Sequence, residues 1–494
     1  MKKKLISLML FFCALSLNAQ VERPKLVVGL VVDQMRWDYL YYFYEYYGNN
    51  GLKRLINDGF SCDNTMLNYT PTFTAVGHTS IYTGSVPAFH GIAGNDFRLN
   101  NKMVYCCTDT TVQSVGSDTK EGQMSPRNLL ATTIGDMMKF GINNQSKVIG
   151  VALKDRAAIL PAGHAADAAY WWDTKAGCFV SSTFYMKELP GWVKRFNTNH
   201  HSKPGFDMKG SVDGIKVTFD MAEATLQNEN MGRGRYTDML CVSVSSTDAL
   251  GHAFGTRRPE MKEAYLALDK QIAGFLETLD SQVGRGNYLI FLTADHGVAN
   301  NPNEMKAHKI PAGGYDGEQV RKNLNNYLQQ KFGVDNLAKW NSGFSIFLNL
   351  EAIEQSKLNI EDVKAKAIEF LKKDPQFLYV IDMENIALSN LPAKAKDQLT
   401  NGYNSQRSGE IQMIAQPNFQ EGRVKDTFIG TTHGSWYPYD SHIPLIFMGW
   451  KVKPGKTNAL THMTDIAPTV CSMLHVQMPD ACIGDAIVQV TDQK

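Results

Sequence analysis

The chain has 494 residues, of which 43% are hydrophobic and 20% are charged. This composition is typical of a globular protein with a large core, and the length allows one large domain with insertions or two domains. The formal net charge of +1 argues against a nucleic-acid-binding protein that depends on its overall charge.

Residues 1–19 have the pattern of a secretory signal peptide. Three lysines at positions 2 to 4 precede an apolar stretch at 5–17, and Ala19 is the predicted cleavage residue. The apolar stretch is too short for a convincing membrane span. We therefore expect residues 20–494 to form a periplasmic protein without a membrane anchor.

Apolar runs predict four buried strands, within 25–34, 147–156, 238–248 and 287–297. Helical patterns lie between these runs. One is predicted over 125–141, with Ser125 as its N-cap and Pro126 at its first position, and another over 258–280. Strands that alternate with helices predict an α/β fold with a mostly parallel central sheet flanked by helices.

Two regions interrupt this alternation. Residues 157–235 are rich in aromatic residues and glycine, and residues 303–428 contain charged and polar stretches. We interpret both as insertions that cap one α/β domain at the ligand-binding edge of its sheet.

Each apolar run ends in residues with useful chemistry. These are Asp33, then Lys154 and Arg156, then Asp248 and His252, and finally Asp295 and His296. The carboxyl ends of parallel strands meet at one edge of a sheet, where ligands bind. The four clusters are therefore expected to face one crevice.

Aspartate and histidine are suitable ligands for zinc. Asp248 and His252 are four residues apart, so a helical turn would place them on one face. His433 lies between small residues in GTTHGSW. A single aspartate at a strand end is more often a helix cap, but the whole set favours two metal sites with three or four ligands each.

Thr74 in PTFTAVGHTSIYTG is a candidate nucleophile. It lies between an extended segment and a predicted short helix that Gly84 ends, and a helix N-terminus favours phosphate. A metal bound to its hydroxyl would lower the hydroxyl pKa, so no neighbouring base is needed. Without a metal, a plain N-cap is the simpler interpretation.

Lys154 and Arg156 bear on the substrate class. Alternating positions on a strand point to the same side, so both cations are expected in the crevice. A phosphate monoester carries one more negative charge than a diester, and additional cations stabilise it more. A solvated or salt-bridged basic pair is the alternative from the residues alone.

The chain resembles the alkaline phosphatase superfamily, in particular its periplasmic, phosphate-irrepressible type with a threonine nucleophile. The matching stretches include VVDQMRWDYL, PTFTAVGHTSIYTGSVPAFHGIAGN, STDALGHAFG, TADHG and TTHGSWYPYDSHIPLIFMG, in this order along the chain. The resemblance implies one zinc ion on Asp248, His252 and His433. It implies a second on Asp33, Asp295, His296 and the Thr74 oxygen. It also implies phosphate contacts from Asn95, Lys154 and Arg156.

The reaction implied by this resemblance is hydrolysis of small-molecule phosphate monoesters by a monomer. Zinc-bound Thr74 would attack in line, and zinc-bound hydroxide would hydrolyse the phosphothreonine. A phosphodiesterase or nucleotide pyrophosphatase on the same scaffold is the main alternative, and a metal- or phosphate-binding protein without turnover is another. An arylsulfatase is disfavoured because residues 71–84 contain no cysteine.

Overall fold

The computed structural model describes residues 21–142 and 144–492, so the predicted signal peptide lies outside the described residues. Within these ranges, ten strands form a central sheet. In spatial order they are Gly455–Thr457, Phe60–Cys62, Leu445–Gly449, Tyr288–Thr293, Leu26–Val32, Asp238–Val244, Val148–Ala152, Ala168–Asp173, Cys178–Ser182 and Ser114–Val115.

The middle of this sheet is parallel. Leu26–Val32 pairs in parallel with Asp238–Val244 on one side and with Tyr288–Thr293 on the other. All three strands are buried along their whole length, as their apolar sequences predict. Parallel pairing continues to Val148–Ala152, and antiparallel strands occur towards both edges. The α/β class and the mostly parallel sheet are thus confirmed.

Helices flank the sheet. The longer ones are Leu52–Asp58, Thr74–Thr83, Ile134–Gly141, Asp155–Ala162, Gly191–His200, Val212–Asn228, Ser246–Phe254, Pro259–Leu279, Gly317–Phe332, Ile360–Leu371, Ala393–Gly402 and Ile466–Leu474. Shorter helices are Tyr39–Tyr42, Tyr44–Tyr46, Pro87–His90, Asp280–Gly284, Pro302–Ala307, Leu350–Gln355, Met383–Leu388, Pro438–Ser441, Met463–Asp465 and Val488–Thr491. Helix Pro259–Leu279 confirms the prediction over 258–280.

The helix predicted to begin at Pro126 begins eight residues later, at Ile134, so that prediction is wrong at its start. Thr133 caps the observed helix Ile134–Gly141 through a reciprocal pair of hydrogen bonds with Asp136. The Ser125 hydroxyl instead donates to Asp109 Oδ2 at 2.6 Å. The helix starts at the capping box because its two side chains satisfy two backbone N–H groups at that position. The Ser-Pro pair at 125–126 does not provide this stabilisation.

The first predicted insertion, about 157–235, contributes directly to the sheet. Its strands Ala168–Asp173 and Cys178–Ser182 extend the sheet beyond Val148–Ala152, and its helix Val212–Asn228 packs on the sheet and on Pro259–Leu279. It is therefore continuous with the main core rather than a separate cover.

The second region, about 303–428, contains a sheet of its own. Its four antiparallel strands, in spatial order, are Ala338–Ser342, Ser345–Leu348, Ile411–Ala415 and Phe377–Asp382. These strands and the helices Gly317–Phe332 and Ile360–Leu371 enclose a second hydrophobic core. Smaller strand pairings join Gly313–Tyr315 to Phe419–Glu421, Asp96–Leu99 to Lys102–Tyr105, and Thr65–Met66 to both His442–Ile443 and Thr461–His462.

No helix in the described ranges is long and apolar enough to cross a membrane.

Candidate functional site

The carboxyl ends of the three central strands bring the predicted acidic residues together. Asp33 directly follows Leu26–Val32, and Asp248 lies in the first turn of the helix after Asp238–Val244. Asp295 and His296 follow Tyr288–Thr293. All four side chains are buried. Local hydrophobic patterns therefore predicted this convergence correctly.

One group of possible metal ligands consists of Asp248, His252 and His433, whose ligand atoms lie within 4.8 Å of one another. His252 Nε2 is 3.1 Å from Asp248 Oδ1, and His433 Nε2 is 3.7 Å from the same oxygen. The three residues are those that the resemblance implies for one zinc ion.

Backbone carbonyl groups orient both histidines. His252 Nδ1 donates to the Thr431 carbonyl at 2.8 Å, and His433 Nδ1 donates to the Thr72 carbonyl at 2.6 Å. A carbonyl oxygen can only accept, so the proton of a neutral ring is on Nδ1 and the lone pair of Nε2 faces Asp248. This arrangement is common around metal-bound histidine.

A second group consists of Asp33, Asp248 and His296, also within 4.8 Å of one another. Asp248 thus belongs to both groups, whereas the resemblance implies Asp295 for the second site. Asp295 lies alongside, with Oδ2 3.3 Å from His296 Nε2. His296 Nδ1 donates to the Gly297 carbonyl at 2.9 Å, so its Nε2 also faces the cluster.

Three buried polar atoms of this cluster lack a hydrogen-bond partner among the described residues: Asp33 Oδ1, Asp295 Oδ2 and His296 Nε2. Buried polar atoms in proteins are normally paired. Two carboxylate oxygens and an imidazole nitrogen are suitable ligands for a divalent cation such as zinc. The residues present therefore fit a metal centre.

The pKa values of the residues in this cluster are shifted in both directions. Burial lowers the pKa values of His296 and His433, which favours the neutral rings that act as ligands. Burial would raise the pKa of Asp248, but Lys154 and His252 hold it well below its usual range. Burial and the neighbouring Asp295 raise the pKa of Asp33, and although burial opposes the charge of His252, Asp248 raises the pKa of that ring. A cation bound among these residues would favour their deprotonated forms.

Lys154 reaches the centre of the cluster. Its Nζ donates to Asp33 Oδ2 and to Asp248 Oδ2, both at 2.6 Å. Burial opposes its charge, yet the carboxylates of Asp248 and Asp33 outweigh burial and raise the pKa of Lys154. The ammonium group is therefore charged and lies between the two groups of ligands.

Arg156 is not on the strand, which corrects the expectation of alternating strand positions. The strand ends at Ala152, and Arg156 is the second residue of helix Asp155–Ala162. Its Nη1 donates to the Tyr105 hydroxyl at 3.0 Å, and that hydroxyl donates to Asp155 Oδ1 at 2.6 Å. Its Nε is buried without a hydrogen-bond partner among the described residues.

Thr74 is the first residue of helix Thr74–Thr83 and is buried. The Ala75 N–H at this helix start donates to Asn95 Oδ1 at 3.0 Å, so the structure brings Asn95 beside Thr74. The helix also lies directly against Asp295, because a Cβ atom at Gly77 would be 2.2 Å from the Asp295 carbonyl oxygen.

Two residues of the site were missed from the sequence. The His78 ring lies between Thr74 and Asp295, with Nδ1 2.9 Å from the Thr74 carbonyl oxygen and 3.3 Å from Asp295 Oδ2. Gln34 hydrogen-bonds to both Asp248 and Asp295. No local pattern distinguishes either residue, because their partners are distant in the chain.

Comparisons with known proteins agree with this geometry. The family model for type I phosphodiesterase / nucleotide pyrophosphatase matches residues 27–436. The chain is 44% identical to the alkaline phosphatase PafA of Elizabethkingia meningoseptica, over 95% of each chain. It is also 44% identical to a Myroides odoratus protein named calcium-transporting ATPase, over 98% of this chain and 97% of that protein.

Solved structures of PafA are similar along the whole fold. Wild-type PafA matches with a TM-score of 0.92 and 42% identity, covering 96% of this chain and 100% of that one. A second PafA structure, with a TM-score of 0.91 and 42% identity, covers 95% of this chain and 99% of that one. That protein carries substitutions of a threonine, an asparagine, a lysine and an arginine.

Proposed function

The chain belongs to the type I phosphodiesterase / nucleotide pyrophosphatase family, and we propose that it hydrolyses small-molecule phosphate monoesters as an alkaline phosphatase. Its similarity to PafA over nearly the whole chain supports the reaction. The preference for monoesters is inferred from the position of Lys154, whose ammonium group hydrogen-bonds to both Asp33 and Asp248. A cation at that depth suits the doubly charged phosphoryl group of a monoester.

We propose that the cluster holds two zinc ions. Asp248, His252 and His433 would hold one, and Asp33, Asp295, His296 and the Thr74 oxygen the other. Such ions, when bound, lower the pKa of a coordinated hydroxyl and neutralise charge on a phosphoryl group. Because Asp248 is also close to Asp33 and His296, its carboxylate is suited to contact both halves of the centre.

Thr74 would act as the nucleophile. Its Oγ1 would lose its proton to solvent and form a bond to phosphorus while the bond from phosphorus to the alcohol oxygen breaks, and the departing alkoxide would take a proton from solvent. Water then cleaves the phosphothreonine, releases phosphate and restores the hydroxyl. The position of Thr74 at a helix start would also favour a phosphoryl group through the helix dipole, although the Ala75 N–H already donates to Asn95.

The remaining donors would hold the non-bridging oxygens. An ammonium group has three N–H donors, and Lys154 uses two of them on Asp33 and Asp248. The third is available for phosphate. Asn95 accepts from Ala75 through Oδ1, which leaves its amide NH₂ to donate to substrate. Arg156 has an unpaired Nε–H for the same purpose.

We further propose that the protein acts outside the cytoplasm, in a periplasm. The support is the pattern of lysines and apolar residues in positions 1–19.

The nucleophile is tested by Thr74→Ala and Thr74→Ser. We expect Thr74→Ala to abolish monoester hydrolysis while the protein still binds zinc, and Thr74→Ser to retain activity because it keeps a hydroxyl. Release of phosphate and metal content are measured on the same samples. Full activity of Thr74→Ala would refute the assignment.

The substrate class is tested with a monoester and a diester that share one leaving group. The family description favours a phosphodiesterase as the second candidate. We expect the wild type to prefer the monoester, and the variant Lys154→Ala/Arg156→Ala to lose much more kcat/KM on the monoester. A diester preference that survives the substitutions would select the second candidate, and no turnover of either ester would select a binding protein.

A further inference from the structure

Gln34 occupies a turn in which its backbone conformation is unfavourable. The turn follows the strand Leu26–Val32, and the Met35 N–H donates to the Val32 carbonyl at 3.2 Å. Gln34 has a φ of 65° and is buried. Glycine and asparagine adopt positive φ in turns at low cost, whereas glutamine does so rarely. A specific role of the side chain would explain its presence.

The hydrogen bonds of Gln34 reach both groups of metal-ligand candidates. Its side-chain Nε2 donates to Asp248 Oδ1 at 2.6 Å. Its backbone N–H donates to Asp295 Oδ1 at 3.0 Å, which leaves Asp295 Oδ2 without a hydrogen bond and beside His296. The His296 N–H also donates to Asp295 Oδ1, and Lys154 holds the other oxygen of Asp248, but Gln34 alone among these donors contacts both carboxylates.

Gly251 provides the space for this side chain. A Cβ atom at Gly251 would lie 1.9 Å from Gln34 Oε1. Gly251 is inside helix Ser246–Phe254, where alanine is intrinsically better for helix stability. Both Gln34 and Gly251 are thus locally unfavourable residues, and the hydrogen bond to Asp248 requires the two of them together.

We propose that Gln34 is a positioning residue that fixes the orientation of Asp248 relative to Asp295. Ion binding at one half of the metal centre would then depend on the geometry of the other half. This inference rests on the proposed metal centre but not on the identity of the substrate. Substitution of residues that orient metal ligands typically lowers metal affinity by about 10- to 100-fold.

The first test is Gln34→Gly, which retains the N–H to Asp295 and removes the amide that holds Asp248. Glycine tolerates the positive φ, which offsets part of the cost of removing a buried side chain, so we expect the loss of Tm to be smaller in chelator than with zinc bound. Zinc affinity, measured by competition with a chelating dye, should fall about 10- to 100-fold. Lys309→Gly is the matched control, because Lys309 has a φ of 63° and an exposed side chain.

The second test approaches the same contact from the helix. Gly251→Ala should displace the Gln34 amide and weaken zinc binding, whereas Gly274→Ala should not, because a Cβ atom at Gly274 meets nothing within 4 Å. The double variant Gln34→Gly/Gly251→Ala should bind zinc no more weakly than Gln34→Gly alone, since both changes act through one contact.

Three results would overturn the inference. The first is that Gln34→Gly binds zinc as tightly as the wild type. The second is that Gln34→Gly loses the same Tm with and without chelator. The third is that the losses of zinc affinity add up in the double variant. Failure of the phosphatase proposal can be distinguished from failure of this inference. In that case the wild type would bind zinc but would not hydrolyse a phosphate ester.

Discussion

Asp440 links two loops of the site and makes the stability of the protein depend on pH. Its Oδ2 accepts hydrogen bonds from the Ser435 N–H at 2.8 Å and the Ser435 hydroxyl at 2.5 Å. Its carbonyl oxygen accepts from the Gly297 N–H at 2.7 Å. Ser435 follows His433 and Gly297 follows His296, so Asp440 joins the two segments that carry these histidines.

Burial raises the pKa of Asp440 to about 7, even though the hydrogen bonds from Ser435 oppose the rise. In the unfolded chain an aspartate has a pKa of about 3.9. Between these two values the folded protein binds more protons than the unfolded one, so stability decreases as pH rises. A difference of about three units corresponds to about 4 kcal/mol, and the loss is complete above pH 7.

The perturbation is Asp440→Asn, which retains an oxygen acceptor for Ser435 and removes the titration. Relative to wild type, the variant should gain stability progressively between about pH 4 and pH 7, by about 4 kcal/mol, and no further above that range. Urea denaturation of both proteins at pH 5, 6, 7 and 8 measures this difference. A difference that does not change with pH would refute the raised pKa.

Two further outcomes are expected. Gly77→Ala should lower the free energy of unfolding by about 1–3 kcal/mol, because its Cβ atom would be 2.2 Å from the Asp295 carbonyl oxygen and would overpack the contact. Thermal unfolding measures this change, and a higher Tm of the variant would contradict the prediction. If the cluster holds the proposed zinc ions, a chelator should lower Tm reversibly, since a ligand at a thousand times its Kd stabilises the folded state by about 4 kcal/mol. An unchanged Tm after verified zinc binding to the untreated protein would contradict that expectation.

The sheet and most of its chemistry could be predicted because the signals are local. Buried parallel strands are almost continuously apolar, so the polar residue at which each run stops is conspicuous. Asp33, Asp248 and Asp295 could therefore be placed at one edge. The helix that begins at Thr74 could be placed as well. An extended segment precedes it, and Gly84, which has a φ of 63°, ends it.

Contacts between distant segments could not be predicted. The sequence leaves open whether Lys154 faces phosphate or forms a salt bridge, and it does not identify the partners: Nζ reaches Asp33 and Asp248, which are 121 and 94 positions away. Arg156 was placed on a strand because the apolar run gives no signal for where the strand ends and the helix begins. The positions of the aspartates in the sequence do not show which of them lies near both groups of possible metal ligands. Asp248 could therefore not be predicted to belong to both groups.

A buried ion pair is among the contacts between the region 303–428 and the segment that follows Asn95. Arg98 Nη2 is 2.6 Å from Glu410 Oε1, and Glu410 Oε2 accepts from the Leu348 N–H at 2.8 Å. Arg98 lies on the strand Asp96–Leu99, which begins directly after Asn95. Together with the Arg407 carbonyl, which accepts from the Arg98 N–H at 3.0 Å, Glu410 holds the segment that carries the proposed phosphate donor against the second sheet.

Glu410→Gln should consequently affect both stability and substrate binding. The variant keeps the shape of the side chain but leaves the Arg98 guanidinium buried without its counter-charge, and loss of one partner of a buried pair costs about 3–5 kcal/mol. Part of this cost can be relieved if the Asn95 segment shifts, so we expect KM for a monoester to rise more than kcat falls. Glu369→Gln, at the exposed pair with Lys366, is the control and should leave the free energy of unfolding nearly unchanged, because solvent screens that pair. If Glu410→Gln loses stability but retains the wild-type KM, the position of Asn95 does not depend on the second sheet.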